Sequence, residues 1–223
     1  MTKKRKENSM PSTLIVGASR GIGFEFTRQL VAAGRKVLAT ARHEDDLAKL
    51  KAIGAQPILL DVASEKSMVD FISRFDAPDL TTIIHNAGVF GPATGTEEAP
   101  SKEQFGFVMN SNVLCPMILI PQLGPMLTAT RGHYVFLSSD MASIDGVNSS
   151  HGSLYRASKA ALNMTVKCAT LDFPMVTFTC LSPGWVRTDM GGEEAPFAVE
   201  ESVRRMIAVI GQQAVKDSGK FVD

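Results

Sequence analysis

A tyrosine and a lysine stand four residues apart, in the segment Tyr155-Arg-Ala-Ser-Lys159. The surrounding residues favour a helix, in which side chains at positions i and i+4 leave the same face. An ammonium group beside a phenol stabilises the phenolate, so we expect Lys159 to lower the pKa of Tyr155 from about 10. A phenol tuned in this way can donate or accept the proton of a carbonyl/alcohol couple.

A glycine-rich turn follows the first β-branched run and leads into a helical pattern. It reads Gly17-Ala18-Ser19-Arg20-Gly21-Ile22-Gly23. We expect Gly17 to permit a tight turn, Gly21 to let a pyrophosphate approach the backbone, and Gly23 to allow close helix packing. The first turn of the helix then offers unpaired N–H groups and partial positive charge to an anion. This context predicts a dinucleotide site, although glycines near a strand end also serve tight packing alone.

The end of the second predicted strand bears on which dinucleotide is bound. A carboxylate here would bind the adenosine ribose hydroxyls and repel a 2′-phosphate, but the position holds Ala41. Arg42 follows it, and Arg20 lies inside the glycine turn. Because two guanidinium groups can bind a 2′-phosphate through charge-assisted hydrogen bonds, we predict NADP(H) rather than NAD(H). The alternative is that Arg42 is only an exposed loop arginine.

Six short, nearly continuous apolar runs alternate with longer helical patterns. The runs cover residues 13–16, 36–40, 57–60, 80–84, 134–137 and 176–181. Such strands are typical of a parallel sheet covered by helices on both faces. Two of the helical patterns end at Gly34 and Gly54, where glycine is the usual C-terminal cap. We therefore predict an α/β fold, a single doubly wound parallel sheet (Rossmann fold) of about seven strands over residues 12–223.

Composition excludes several classes of protein. The 23 Lys and Arg residues balance 23 Asp and Glu residues, so no overall field attracts nucleic acid. The three cysteines lack disulfide or CxxC spacing, and the four histidines lack metal-ligand spacing. We expect a cytoplasmic protein with no metal and no nucleic-acid partner. Residues 1–11, which include a basic run from Lys3 to Lys6, are predicted to be a disordered tail without a secretory signal.

Residues 104–130 carry no charge over a length that could cross a bilayer. Three prolines, Pro116, Pro121 and Pro125, interrupt the segment, and several polar residues would place hydrogen-bonding groups in hydrocarbon. A helix buried inside the α/β domain is the better account, so we predict no membrane association.

Several motifs together resemble those of the short-chain dehydrogenase/reductase family. They are the glycine turn, Asn86-Ala87-Gly88 after the fourth strand, Asn112, Ser139, the pair Tyr155 and Lys159, and Pro183-Gly184 with Thr188. The resemblance runs from Ser12 to Asp223, and Gly219 to Asp223 resembles the start of the family's last strand. The segments 155–163 and 183–191 are most similar to the branch of sniffer-type carbonyl reductases and C-factor-like proteins.

The resemblance implies a role for each matched residue. Tyr155 would be the general acid in reduction, while Lys159 would lower its pKa and bind the nicotinamide ribose. Ser139 would hold the substrate oxygen, with Ser138 as a rival for that contact. Asn112 would position a water that links Lys159 to solvent. The implied cofactor contacts are Gly17, Ser19, Arg20, Gly21, Ile22, Gly23, Arg42, Asp61, Val62, Asn86, Ala87, Gly88, Tyr155, Lys159, Pro183, Gly184, Val186 and Thr188.

These expectations combine into an NADPH-dependent carbonyl reductase that acts on a small or medium aldehyde or ketone, with the hydride chemistry supplied by the cofactor. The alternative is a non-catalytic NADP(H)-binding protein with a signalling or scaffold role. The apolar helix that contains Asn112 and the helix that follows Tyr155 are candidates for a homodimer face.

Overall fold

The computed structural model describes residues 10–223, so the predicted basic tail lies almost entirely outside the described residues. Within that range the chain forms seven strands. They are β1 Ser12–Val16, β2 Lys36–Ala41, β3 Gln56–Leu59, β4 Leu80–His85, β5 His133–Leu137, β6 Thr177–Leu181 and β7 Lys220–Val222. All six strands predicted from apolar runs are present, with their ends shifted by one residue or less. The seventh, at the C-terminus, is the strand that the family resemblance implies.

Helices connect these strands in the regular alternation that the sequence predicts. They are α1 Gly21–Ala32, α2 Glu44–Ala52, α3 Glu65–Arg74, α4 Lys102–Met109, α5 Cys115–Thr130, α6 Ser153–Asp172 and α7 Val199–Gln212. Helices α1 and α2 end just before Gly34 and Gly54, which adopt positive φ angles of 75° and 93°. Glycine tolerates this conformation without strain, so both predicted C-terminal caps are confirmed.

The strands form one parallel sheet in the order β3-β2-β1-β4-β5-β6-β7. The chain builds outward from β1 in one direction, then crosses over to β4 and builds in the other. In sheets of this kind ligands bind at the carboxyl ends of the strands, beside the point where the order reverses. That point lies between β1 and β4, so the segments after Val16 and His85 meet there.

Two apolar clusters, one on each face of the sheet, form the core. Neighbouring residues of β1 divide between them, since Leu14 packs with α3, α5 and α6, whereas Ile15 packs with α1, α2 and α7. Both side chains are fully buried. This arrangement explains why the strands are apolar throughout rather than alternating. Together the sheet order and the two clusters confirm the predicted doubly wound fold.

Residues 102–130 form one continuous helical stretch, in which five residues, Asn110–Leu114, make a π-helical turn between α4 and α5. By length and composition alone this stretch could cross a membrane. Its buried side chains, including Leu119 and Leu123, belong to the core cluster that packs on β1 and β5. Core helices of soluble proteins meet the same criteria, and the absence of a membrane role stays a prediction.

Candidate active site

The glycine turn packs directly against the segment that follows β4. Gly17 has a φ of 84°, and a Cβ atom there would lie 2.9 Å from the backbone of Ala87. A Cβ atom on Gly23 would lie 2.0 Å from the carbonyl oxygen of Gly17. Not even a methyl side chain fits either position, because both contacts are with backbone atoms that cannot rotate away. The steric roles predicted for Gly17 and Gly23 therefore agree with the geometry.

Side chains from two neighbouring strands hold this turn. Thr40, at the end of β2, accepts a hydrogen bond on Oγ1 from the Gly17 N–H at 2.9 Å. Asn86, just after β4, donates from Nδ2 to the Gly17 carbonyl at 2.6 Å. We call Gly17–Gly23 together with these two side chains the phosphate cradle. It is anchored on three adjacent strands, so its shape exists before any ligand binds.

Helix α1 begins in the cradle without a capping side chain. By contrast, the Ser64 side chain caps α3 and Ser101 forms a capping box at α4. The free N–H groups at a helix start attract anions, and they have no internal competitor at α1. The residues present therefore fit the pyrophosphate of a dinucleotide.

Two cavities adjoin at the cradle and share Arg20, Asn86 and Gly88. The inner cavity extends toward Tyr155 and is also lined by Gly21, Ile22, Leu137, Ser138, Lys159, Pro183, Thr188, Asp189 and Met190. The outer cavity extends toward Arg42 and is also lined by Gly17, Ser19, Ala41, Leu60, Asp61, Val62, Ala63, Ala87, Val89, Phe107 and Ser111. Most of the residues predicted to contact a dinucleotide thus line one continuous groove.

Three predicted cofactor residues line neither cavity. Gly23 lies within the cradle, packed against the Gly17 carbonyl. Val186 is 4% exposed, and a Cβ atom on Gly184 would meet the ring of Phe197 at 3.0 Å. Gly184 and Val186 shape the segment that carries Thr188 instead of lining the groove.

Tyr155 and Lys159 lie on one face of α6 and are both buried. The ammonium nitrogen of Lys159 is 5.6 Å from the centre of the Tyr155 ring. It donates a hydrogen bond to the Leu137 carbonyl at the end of β5, at 2.7 Å. Burial lowers the pKa of Lys159 from its ordinary value of 10.5 to about 8. The predicted juxtaposition is present, and the lysine is held by backbone rather than by solvent.

The expected lowering of the Tyr155 pKa is not found in the free protein. Burial, followed by the negative charge of Asp140, raises it from 10.0 to about 12, although a hydrogen bond with Ser139 acts in the opposite direction. The expectation was wrong because it considered only Lys159 and neglected desolvation of the phenol. Phe90 contributes to that burial by stacking on the Tyr155 ring, with ring centres 4.8 Å apart. The free protein therefore holds Tyr155 as a neutral phenol.

The structure distinguishes the two candidate serines. Ser138 is 3% exposed and donates from Oγ to the Asn163 side chain at 2.7 Å. Although Ser138 contributes to the cavity wall, its hydroxyl is engaged by α6. Ser139 instead shares a hydrogen bond with the phenol of Tyr155, and it donates to Asp140 Oδ1 at 3.0 Å. Ser139 lines neither cavity, and its hydroxyl also accepts from the Met141 N–H at 3.1 Å, so its contact with a substrate stays a prediction.

Asn112 lies in the π-helical turn and is 1% exposed. Its Oδ1 accepts from the Val89 N–H at 2.8 Å, and its Nδ2 donates to the Val89 carbonyl at 2.8 Å. Nδ2 also donates to Ser158 Oγ at 2.9 Å. A Cβ atom on Gly88 would lie 3.2 Å from Asn112 Oδ1 and 3.4 Å from Lys159 Nζ. Asn112 thus fixes the loop beside Lys159, while its predicted water-positioning role stays a prediction.

Several site residues could not be predicted from motifs. Thr40 is implied only by the position of β2 beside β1, and Leu137 contributes a backbone carbonyl that no side-chain pattern reveals. Phe90 and Asp189 lie in connecting segments, where contacts depend on the folded path of the chain. Asp140 could have been noticed as a charge beside Ser139, but its effect on Tyr155 requires the distance between them.

The fold and the groove together define a nucleotide-dependent oxidoreductase, and the comparisons with known proteins agree. Residues 12–198 match the short chain dehydrogenase family, and the chain belongs to that family. A carbonyl reductase from Pseudomonas aeruginosa PAO1 in complex with NADP is 33% identical, covers 96% of each chain and has a TM-score of 0.82. The carbonyl reductase Sniffer of D. melanogaster is 26% identical over 96% of each chain, with a TM-score of 0.83. C-signal of Myxococcus xanthus is 33% identical over 144 residues, covering 63% of this chain and 86% of that protein.

Proposed function

We propose that the protein is an NADPH-dependent reductase that converts the carbonyl group of a small or medium aldehyde or ketone to an alcohol. The observation that carries this proposal is the inner cavity, where the buried pair Tyr155 and Lys159 opens onto the same space as the start of α1. An anion-binding helix start and a proton donor in one groove match what hydride transfer to a carbonyl requires.

The residues of the cradle support binding of the dinucleotide. The uncapped start of α1 would hold the pyrophosphate, and Asn86 and Gly88 line both cavities between the two halves of the ligand. When bound, a reduced nicotinamide nucleotide supplies the hydride. The chain contributes position, because reacting groups held in a fixed geometry need no bimolecular encounter.

Tyr155 would act as the general acid. Its raised pKa keeps the phenol protonated at neutral pH, which suits donation of a proton to a developing alkoxide. Ser139, within hydrogen-bonding reach of the phenol, would hold the substrate oxygen beside it. Lys159 would then offer a positive charge that stabilises the phenolate left after proton transfer.

The two arginines support a preference for NADP(H). Arg42 is exposed, lines the outer cavity and forms no ion pair with another residue in the range 10–223. Arg20 lines the same cavity, and the residue before Arg42 is Ala41 rather than a carboxylate that would repel a 2′-phosphate. We expect Arg42→Ala to weaken NADPH binding about tenfold and to leave NADH binding unchanged. Fluorescence titration of both nucleotides checks this, and unchanged NADPH affinity would contradict the preference.

Tyr155→Phe tests the catalytic proposal, because it removes only the hydroxyl. General acid catalysis contributes about 10²–10⁴-fold, so we expect a loss of this size in NADPH oxidation with a panel of quinones, aldehydes and diketones. NADPH binding and thermal stability should stay close to those of the native protein. Phe173→Tyr, a hydroxyl change remote from the groove, serves as the matched control and should leave turnover unchanged.

Equal turnover of the native protein and Tyr155→Phe would overturn the catalytic proposal. NADPH binding without turnover of any compound in the panel by the native protein would instead favour a non-catalytic nucleotide-binding role.

A further inference from the structure

An ion pair crosses the mouth of the groove. Arg20 Nη1 lies 2.6 Å from Asp189 Oδ2, and the two side chains are 72% and 74% exposed. These residues are 169 positions apart in the chain, so the contact is made only by the folded protein. It ties the cradle to the segment after Gly184. Ion pairs this exposed are weak, which means that a competing anion can open the contact readily.

Arg20 lies on the boundary between the two cavities. It lines the inner cavity together with Asp189, and it lines the outer cavity together with Arg42. Asp189 lines only the inner cavity. The carboxylate therefore holds the Arg20 guanidinium toward the Tyr155 side of the groove, whereas the candidate 2′-phosphate site is on the Arg42 side.

We propose that Asp189 is a specificity-determining residue that competes with the 2′-phosphate of the nucleotide for Arg20. The inference rests on the NADP(H)-dependent function proposed above. Asp189 occupies the Nη1 donor of Arg20, so a 2′-phosphate contacted by both guanidinium groups competes with the carboxylate for that donor. The carboxylate thereby weakens binding of the phosphorylated nucleotide and leaves a nucleotide without that phosphate largely unaffected.

Other charges near this segment make a matched control available. Glu193 is exposed and lies four residues beyond Asp189, but it forms no ion pair with any residue that the structure describes. Glu193→Gln removes the same charge from the same segment without releasing Arg20. A general electrostatic effect on an anionic ligand would act equally through Asp189 and Glu193. Competition for the Arg20 guanidinium, in contrast, acts only through Asp189.

The test is fluorescence titration of NADPH and NADH into the native protein, Asp189→Asn, Arg20→Ala, the double variant and Glu193→Gln. We expect Asp189→Asn to tighten NADPH binding about two- to fivefold, the range set by an exposed ion pair, and to leave NADH binding unchanged. In the Arg20→Ala background the same substitution should have no effect. Glu193→Gln should resemble the native protein, and the gain should shrink as ionic strength rises.

Unchanged or weaker NADPH binding by Asp189→Asn overturns the inference. The same conclusion follows if NADH tightens by the same factor, if Glu193→Gln gives an equal gain, or if the effect persists without Arg20. These outcomes leave the proposed function intact as long as the native protein binds and oxidises NADPH. A native protein that binds neither nucleotide overturns both proposals.

Discussion

The phosphate cradle and the surroundings of Tyr155 share one groove but are stabilised differently. In the cradle the decisive constraint is the close approach of the backbone, since a Cβ atom on Gly23 would lie 2.0 Å from the Gly17 carbonyl oxygen. Around Tyr155 the decisive constraint is the burial of polar side chains, such as Lys159, whose ammonium group loses hydration. In the first region binding and folding require the same residue type. In the second, a residue useful for chemistry opposes folding.

The largest effect is expected from a steric change in the cradle, which leaves the surroundings of Tyr155 unaltered. Gly23→Ala introduces a methyl group that overlaps the Gly17 carbonyl, so the start of α1 has to move. We expect the free energy of unfolding to fall by about 1–3 kcal/mol and NADPH binding to fall by more than tenfold. Urea unfolding and nucleotide titration measure the two losses.

Gly211→Ala is the matched control for this prediction. A Cβ atom at Gly211 in α7 would meet no atom within 4 Å, and alanine is the better helix former. This variant should be equally or more stable and should bind NADPH normally. If Gly23→Ala behaved in the same way, the cradle would not depend on the close backbone contact.

The second prediction concerns the buried lysine. Because the pKa of Lys159 is about 8 in the folded protein and 10.5 ordinarily, the unfolded chain binds more protons between these values. Lys159 should therefore add to the free energy of unfolding as pH rises across this window, by at most about 1.4 kcal/mol per pH unit. Lys159→Met should lack this contribution and should also lose most of the proposed carbonyl reductase activity.

Urea unfolding at pH 7, 8, 9 and 10 for both proteins provides the measurement, with the difference between them as the readout. Lys66→Met, at an exposed lysine of α3, should keep the slope of the native protein. Parallel curves for the native protein and Lys159→Met would mean that the buried ammonium group is not desolvated as the geometry implies.

The smallest expected effect is a shift in pH dependence. The negative charge of Asp140 raises the pKa of Tyr155, and the proposed reduction requires the protonated phenol. Asp140→Asn keeps an oxygen acceptor for Ser139 but removes the charge, so the alkaline limb of kcat/KM should move to lower pH by less than one unit. Asp145→Asn, in the same exposed segment, should not move it. A shift to higher pH would contradict the assigned sign.

The strands and the glycine turn could be predicted from the sequence, because their formation depends on a local pattern of residues. The apolar runs predict β1 to β6 because a strand covered on both faces must be apolar throughout. The glycine turn is predictable because no other residue type fits a close backbone contact. Both arguments use information contained in a short segment and its immediate neighbours.

The electrostatics of the site were not accessible in the same way. The sequence shows Lys159 one helical turn from Tyr155, but it does not show that the ammonium group contacts the Leu137 carbonyl or that Phe90 covers the phenol. It also could not decide between Ser138 and Ser139, since adjacent residues at a strand end differ only in the direction they face. Contacts such as Arg20 with Asp189 depend on the path of two distant segments.

The π-helical turn at Asn110–Leu114 has a consequence for how one long helix serves two tasks. A residue inserted into an α-helix rotates everything beyond it by about 100°. Upstream of the turn, Phe107 faces the outer cavity, whereas downstream Leu119 and Leu123 face the interior. The change of phase lets one continuous helical stretch line the ligand groove before the turn and pack in the core after it. Deleting one residue from this turn would restore an unbroken α-helical phase and force those two tasks onto conflicting faces.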